Sequence, residues 1–124
     1  MIVYPSVTVL IPNYNDEEYI EKSIRSALEQ DYEGSLNVCV VDDGSTDGSL
    51  DLLRVLVKNP ASDTYKGLNV TINKDSFGDD RTITLIENKN SGPSGARNVG
   101  IGYTIAKTDI YAMLDSDDEM YPNK

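Results

Sequence analysis

The chain has 124 residues, 39% hydrophobic and 26% charged, which suits one domain with a single core and excludes a disordered or membrane-spanning composition. Its net charge of −10, from 21 acidic and 11 basic residues, argues against nucleic acid as a partner, because that surface must be positive. It contains no histidine, which removes the Ser-His-Asp triad, the His-paired cysteine nucleophile and His-ligated zinc, and leaves oxygen ligands suited to Mg²⁺, Mn²⁺ or Ca²⁺.

The N-terminus, MIVYPSVTVLIPNYN, has neither the basic region nor the cleavage site of a signal peptide. No run approaches the ~20 apolar residues of a transmembrane segment, so the expected location is cytoplasmic. Ser6–Pro12 reads as a first buried strand, β-branched and closed by proline. Asn15 is expected to cap the next helix, with Glu18 three residues on completing a capping box. Ile20, Ile24, Ala27 and Leu28 share that helix's inner face. Leu36–Val41 is a second strand, and the lone Cys39 within it a small buried hydrophobe.

GSTDGS is turn chemistry, with Asp47 the expected cap of a short helix that turns Leu53, Leu56 and Val57 inward. Residues 58–81 break the pattern as a polar insertion, with a short strand at Leu68–Ile72. Thr82–Asn88 is a third strand. SGPSGARNVGIGYTIAK becomes a helix whose expected apolar face includes Val99, Tyr103 and Ala106, and DIYAMLD is a fourth strand.

This alternation predicts an α/β fold: a Rossmann-like, mostly parallel sheet of order 3-2-1-4 with helices on both faces. Ligands of such sheets bind beyond the carboxyl ends of the strands, where the strand order reverses. PNYN, DDGSTDGS and DSDDE gather there, and Tyr14 offers a ring on which a base can stack, although it equally suits a simple rim aromatic. The carboxylates of DSDDE repel one another unless a cation offsets them, although such clusters are usually solvated loops. Asp42 and Asp43 equally suit turn and cap roles, and Arg97 equally suits pairing with a nearby carboxylate. DGSTDGSLDLLR begins like a calcium loop, but Arg54 stands where the bidentate Glu belongs, so that reading is rejected.

VTVLIPNYNDEEYIEKSIRSALEQDY, VVDDGSTDGS, NSGPSGARNVGI and YAMLDSDDEMYP together resemble the nucleotide-sugar-binding half of a family 2 glycosyltransferase with the GT-A fold. The resemblance covers Val7 to about Asp51 and Leu85 to Pro122. It implies that Pro12, Tyr14 and Asn15 hold the base, usually uracil, and that Asp43, with Asp42 beside it, accepts the base N–H. It implies that Asp115-Ser116-Asp117 is the D-x-D motif that contacts ribose and binds Mn²⁺ or Mg²⁺, with Asp118 assisting. Arg97 matches an arginine near the nucleotide.

The implied activity is inverting transfer from a UDP-sugar donor to a hydroxyl of a saccharide, lipid or protein acceptor. Such enzymes continue past the D-x-D motif into an acceptor region that carries the general base, and no residue here matches that base. The chain therefore reads as truncated after the motif, with MYPNK as the start of the next helix. The alternative is a nucleotide-sugar and metal-binding module without turnover. A receiver domain would need its acidic pair after the first strand, where PNYN stands. An unfinished sheet edge also allows a homo-oligomer.

Overall fold

The computed structural model describes residues 3–57, 61–74 and 80–120. Six strands form one sheet: β1 Val7–Asn13, β2 Leu36–Asp43, β3 Ala61–Tyr65, β4 Leu68–Lys74, β5 Arg81–Asn88 and β6 Ile110–Met113. Their order is β3-β4-β5-β2-β1-β6. The four strands read from the sequence, β1, β2, β5 and β6, are mutually parallel and stand in the expected 3-2-1-4 arrangement. At the centre, Leu10 of β1 pairs with Cys39 on one side and Met113 on the other.

Strand alternation sorts the core into two layers. Val9, Ile11, Val38, Val40, Ile83 and Leu85 meet α1 (Ile20–Leu28) and α2 (Ser49–Leu56) on one face. Leu10, Cys39, Val41 and Ile86 meet α3 (Gly92–Thr104) on the other. Both faces are covered, which is why β1 and β2 read as unbroken apolar runs. Burial leaves the Cys39 thiol without water and pushes it up to about 12.

The polar insertion is where the sequence reading was coarsest. The strand expected at Leu68–Ile72 is β4, and it belongs to a hairpin. The turn Lys66-Gly67 has positive φ at both residues, 50° and 81°, the geometry that matches strand twist in a two-residue hairpin. β4 runs antiparallel to β5 and buries Val70. The exposed Asp63 of β3 accepts from the Tyr103 hydroxyl at 2.7 Å, which fixes the hairpin to α3. Residues 58–60 and 75–79 of the insertion, and all but Met120 of the helix start expected at MYPNK, lie outside the described residues.

Two further expectations are corrected. Of the apolar face expected for α3, Val99 and Tyr103 do pack against the core, whereas Ala106 does not. The helix's buried residues are Ala96, Gly100 and Thr104, Val99 and Tyr103 pack at the margin, and Ala106 is exposed. A Cβ on Gly100 would stand 2.3 Å from Leu10 Cδ1 and 3.0 Å from Val41 Cγ2, so α3 lies too close to the sheet for a larger residue there. Nor do Asn15 and Glu18 form a capping box: α1 begins at Ile20, and the Tyr19 and Ile20 N–H groups donate to the Asp16 carbonyl.

Arg81, at the start of β5, gathers the connection from α1 to β2. Its guanidinium donates to the carbonyls of Leu28, Gln30, Tyr32 and Gly34 at 2.8–3.3 Å, placing positive charge at the C-terminal end of α1.

Candidate functional site

The carboxyl ends of β2, β1 and β6 stand side by side, and the segments that leave them form the site. Asn13 and Asp42 occupy paired register positions at the ends of β1 and β2. The Asn13 amide donates to Asp42 Oδ1 at 2.9 Å and to Ser45 Oγ at 3.3 Å. Asp42 also accepts from the Ser45 N–H and hydroxyl. Asn13 Oδ1 is buried with no hydrogen-bond partner among the described residues, an acceptor left open under the loops.

Asn15 has φ of 56°, a left-handed conformation that Asn tolerates. Its side chain reaches the neighbouring loop, where Oδ1 accepts the N–H groups of Thr46 at 2.7 Å and Asp47 at 3.2 Å. Glu17 adds reciprocal bonds: its N–H donates to Asp47, and its carboxylate accepts from Gly48 N–H at 2.8 Å. Asp47 in turn accepts the Ser49 N–H at the start of α2, the capping role expected of it, although Gly48 holds the N-cap position. Burial pushes the Asp47 carboxyl up, but the hydrogen bonds from Ser49 and Glu17 outweigh it and hold the group below its usual range. Pro12 is half-buried at the end of β1, and the Tyr14 ring, 49% exposed, stands outward beside it.

Asp43 lies on the opposite face of β2 from Asp42. Its carboxylate accepts from Asn88 Nδ2 at 2.9 Å, Ser91 N–H at 2.8 Å and Gly92 N–H at 2.9 Å. It is thus a cap for α3 delivered from another strand, a role that none of the local capping patterns announces. One lone pair on Oδ2 remains for a further donor.

β6 leads into the acidic loop. The Asp118 N–H closes a turn onto the Asp115 carbonyl at 3.0 Å. Asp115, Asp117 and Asp118 are exposed, whereas Ser116 is 5% exposed and donates its hydroxyl to Asp16. Arg97 Nη2, on α3, lies 3.6 Å from Asp115 Oδ1. The structure therefore brings Arg97 to the acidic loop, as an exposed ion pair of modest strength.

Among the described residues no three acidic side chains converge tightly enough to enclose a metal ion. The donor set still fits a hard divalent cation: exposed carboxylate oxygens on a fixed turn, able to supply part of a coordination sphere and leave the rest to a ligand. Ser23, which the sequence reading left unremarked, is 1% exposed on α1 and donates its hydroxyl to the Ser116 carbonyl at 2.8 Å and to the Asp118 carbonyl. Its signal was a polar residue on the apolar stripe of Ile20, Ile24 and Ala27.

A cavity of about 520 Å³ opens at the other end of the strands, lined by Thr8, Asn37, Thr84, Thr104 and Lys107 among others. Asp63, Asp80 and Arg81 also line it, and it lies at the opposite end of the strands from the carboxyl ends where such folds bind ligands.

The family model described as Glycosyl transferase family 2 matches residues 8–124. An uncharacterized glycosyltransferase of Haemophilus influenzae is 32% identical over 92% of this chain and 37% of its own length. The minor teichoic acid biosynthesis protein GgaA of Bacillus subtilis is 30% identical over 94% of this chain and 22% of its own. Among solved structures, a mannosyltransferase from Pyrobaculum calidifontis in complex with GDP-Man and Mn²⁺ matches 93% of this chain and 30% of its own, with a TM-score of 0.66 and 28% identity. S. aureus TarS 1-349 in complex with UDP-GlcNAc matches 92% and 27%, with a TM-score of 0.62 and 26% identity. The chain thus spans a third or so, or less, of the length of each of these proteins.

Proposed function

This chain belongs to glycosyl transferase family 2 and has the GT-A fold, and from that premise we propose that residues 1–124 are the donor-binding part of a glycosyltransferase domain. The loops at the ends of β1, β2 and β6 take a nucleoside-diphosphate sugar. Tyr14 stacks on the base, between Pro12 and Asn15. Asp43 accepts the base N–H through its remaining lone pair, and Asp42 holds the loop beneath. Asp115 reaches the ribose and, with Asp117 and Asp118, holds Mn²⁺ or Mg²⁺, while Ser116 anchors their turn to Asp16. Arg97 faces the diphosphate from α3.

The observation that carries this reading is the placement of the exposed acidic turn and Arg97 at the reversal of strand order. A diphosphate is an anion, and this chain is strongly acidic, so a single guanidinium does not offset the repulsion. A bound divalent cation supplies the missing positive charge and stabilises the charge that grows on the departing nucleoside diphosphate.

In the whole protein an acceptor hydroxyl attacks the anomeric carbon as the bond to the diphosphate breaks. The configuration inverts, and the acceptor's proton passes to a carboxylate base that is not among the residues assigned here. Uracil is the proposed base, and calorimetry with UDP and GDP in Mn²⁺, Mg²⁺ or EDTA tests it. UDP should bind at least about tenfold more tightly with Mn²⁺ than with EDTA, a difference of about 1.4 kcal/mol. Asp117→Asn should abolish that difference without lowering the unfolding temperature. Equal metal dependence in the variant overturns the assignment, and tighter binding of GDP overturns the choice of base.

A further inference from the structure

We infer that Ser23 is a positioning residue for Asp117, an inference that deepens the donor-site reading and rests on it. Ser23 lies on the buried face of α1, on the side that faces the acidic turn. Its hydroxyl meets two carbonyl oxygens, those of Ser116 and Asp118. These are the carbonyls on either side of Asp117. A hydroxyl has one proton, so the two acceptors share it. The backbone around Asp117 is thereby drawn to one buried point while the Asp117 side chain remains exposed.

The neighbouring contacts repeat this attachment. Ser26, three residues along α1, accepts the Met120 N–H at 3.0 Å, and Ser116 donates to Asp16 just before α1. α1 and the segment before it therefore fix the acidic turn at Asp16, Ser23 and Ser26, and Ser23 is the contact that brackets Asp117. A carboxylate that supplies only part of a cation's coordination sphere depends on being held in place, because among the described residues no closed cage of acidic side chains surrounds the cation to re-centre it. Ser23 touches neither nucleotide nor metal in this arrangement, and it acts through the turn.

The experiment compares the wild-type chain with Ser23→Ala and Ser23→Thr. Alanine has the higher helix propensity, so a residue that served α1 alone would tolerate it. The first readout needs no ligand: ¹⁵N relaxation and amide exchange of Asp117, Asp118 and Glu119. Ser23→Ala should raise mobility and exchange at these amides while those of β1 and β2 keep wild-type values. The second readout is UDP affinity with Mn²⁺ and with EDTA. Ser23→Ala should lose about tenfold in the Mn²⁺ series and nothing in the EDTA series, and Ser23→Thr, which keeps the hydroxyl, should recover part of both the order and the affinity.

Unchanged amide dynamics in Ser23→Ala overturns the proposal, as does an equal loss with and without Mn²⁺. If wild-type chain shows no Mn²⁺-dependent affinity, the donor reading falls and takes the metal-positioning role with it. The amide readout then still decides whether Ser23 orders the turn.

Discussion

The Asp43 carboxylate collects the side-chain amide of Asn88 and the backbone N–H groups of Ser91 and Gly92, so it belongs energetically to α3 as much as to β2. Asp43→Ala should destabilise the chain by about 1–3 kcal/mol, the cost of unpaired donors at a helix start. Urea unfolding should show it as a lower midpoint with an unchanged slope. Asp43 also shows why residue roles were only half legible. Its place after an apolar strand marked it for function, but the donors it serves lie 45 to 49 positions away. Asn15 failed in the opposite direction. Its sequence context fits a local cap, yet a left-handed backbone turns its side chain to the Thr46 loop instead.

At the level of elements, the long apolar faces were readable and the small ones were not. Ile20, Ile24, Ala27 and Leu28 on α1 are buried as their spacing indicated, because large side chains at helical period have one way to leave water. On α3 the inward stripe is Ala96, Gly100 and Thr104, and its smallness is the point, since it lets the helix settle against Leu10 and Val41. Gly100→Ala gains helix propensity yet places a methyl where Leu10 already stands. The net result should be a loss of about 1–3 kcal/mol, measured by chemical denaturation, as expected for overpacking. The β3–β4 hairpin escaped notice because β3 is the outermost strand and exposes nearly every residue, so it has no alternation to read. Its contact with α3 through Tyr103 and Asp63 shows in the Tyr103 hydroxyl, which burial first and the Asp63 carboxylate second push up to about 12.

Across the whole molecule, the order of the parallel strands followed from the alternation of elements and the handedness of crossovers, and that order placed the three site loops together. What the sequence could not convey was how the loops are joined. Asn15 to Thr46, Glu17 to Gly48, Ser23 to Ser116 and Arg97 to Asp115 are all contacts between segments, created only when the sheet assembles. The candidate site is therefore a property of the closed fold, and no single loop carries it.

That closure gives the central cysteine a use of its own. Cys39 is the chain's one thiol, placed in β2 with strands on both sides and α3 above it. An electrophile that thiolate attacks finds neither access nor a deprotonated sulfur while the sheet is intact. Labelling at neutral pH should proceed only through openings that expose the centre of β2, so its rate, scaled by that of the unfolded chain, measures the free energy of global unfolding. Urea should accelerate labelling with the same dependence that it shows in equilibrium unfolding. A saturating ligand at the far-off strand ends should slow labelling by the factor its affinity dictates. Labelling that ignores both would mean that β2 opens locally. A fully buried residue thus works as a built-in gauge, reporting on the outermost loops without any dye, tag or substitution near them.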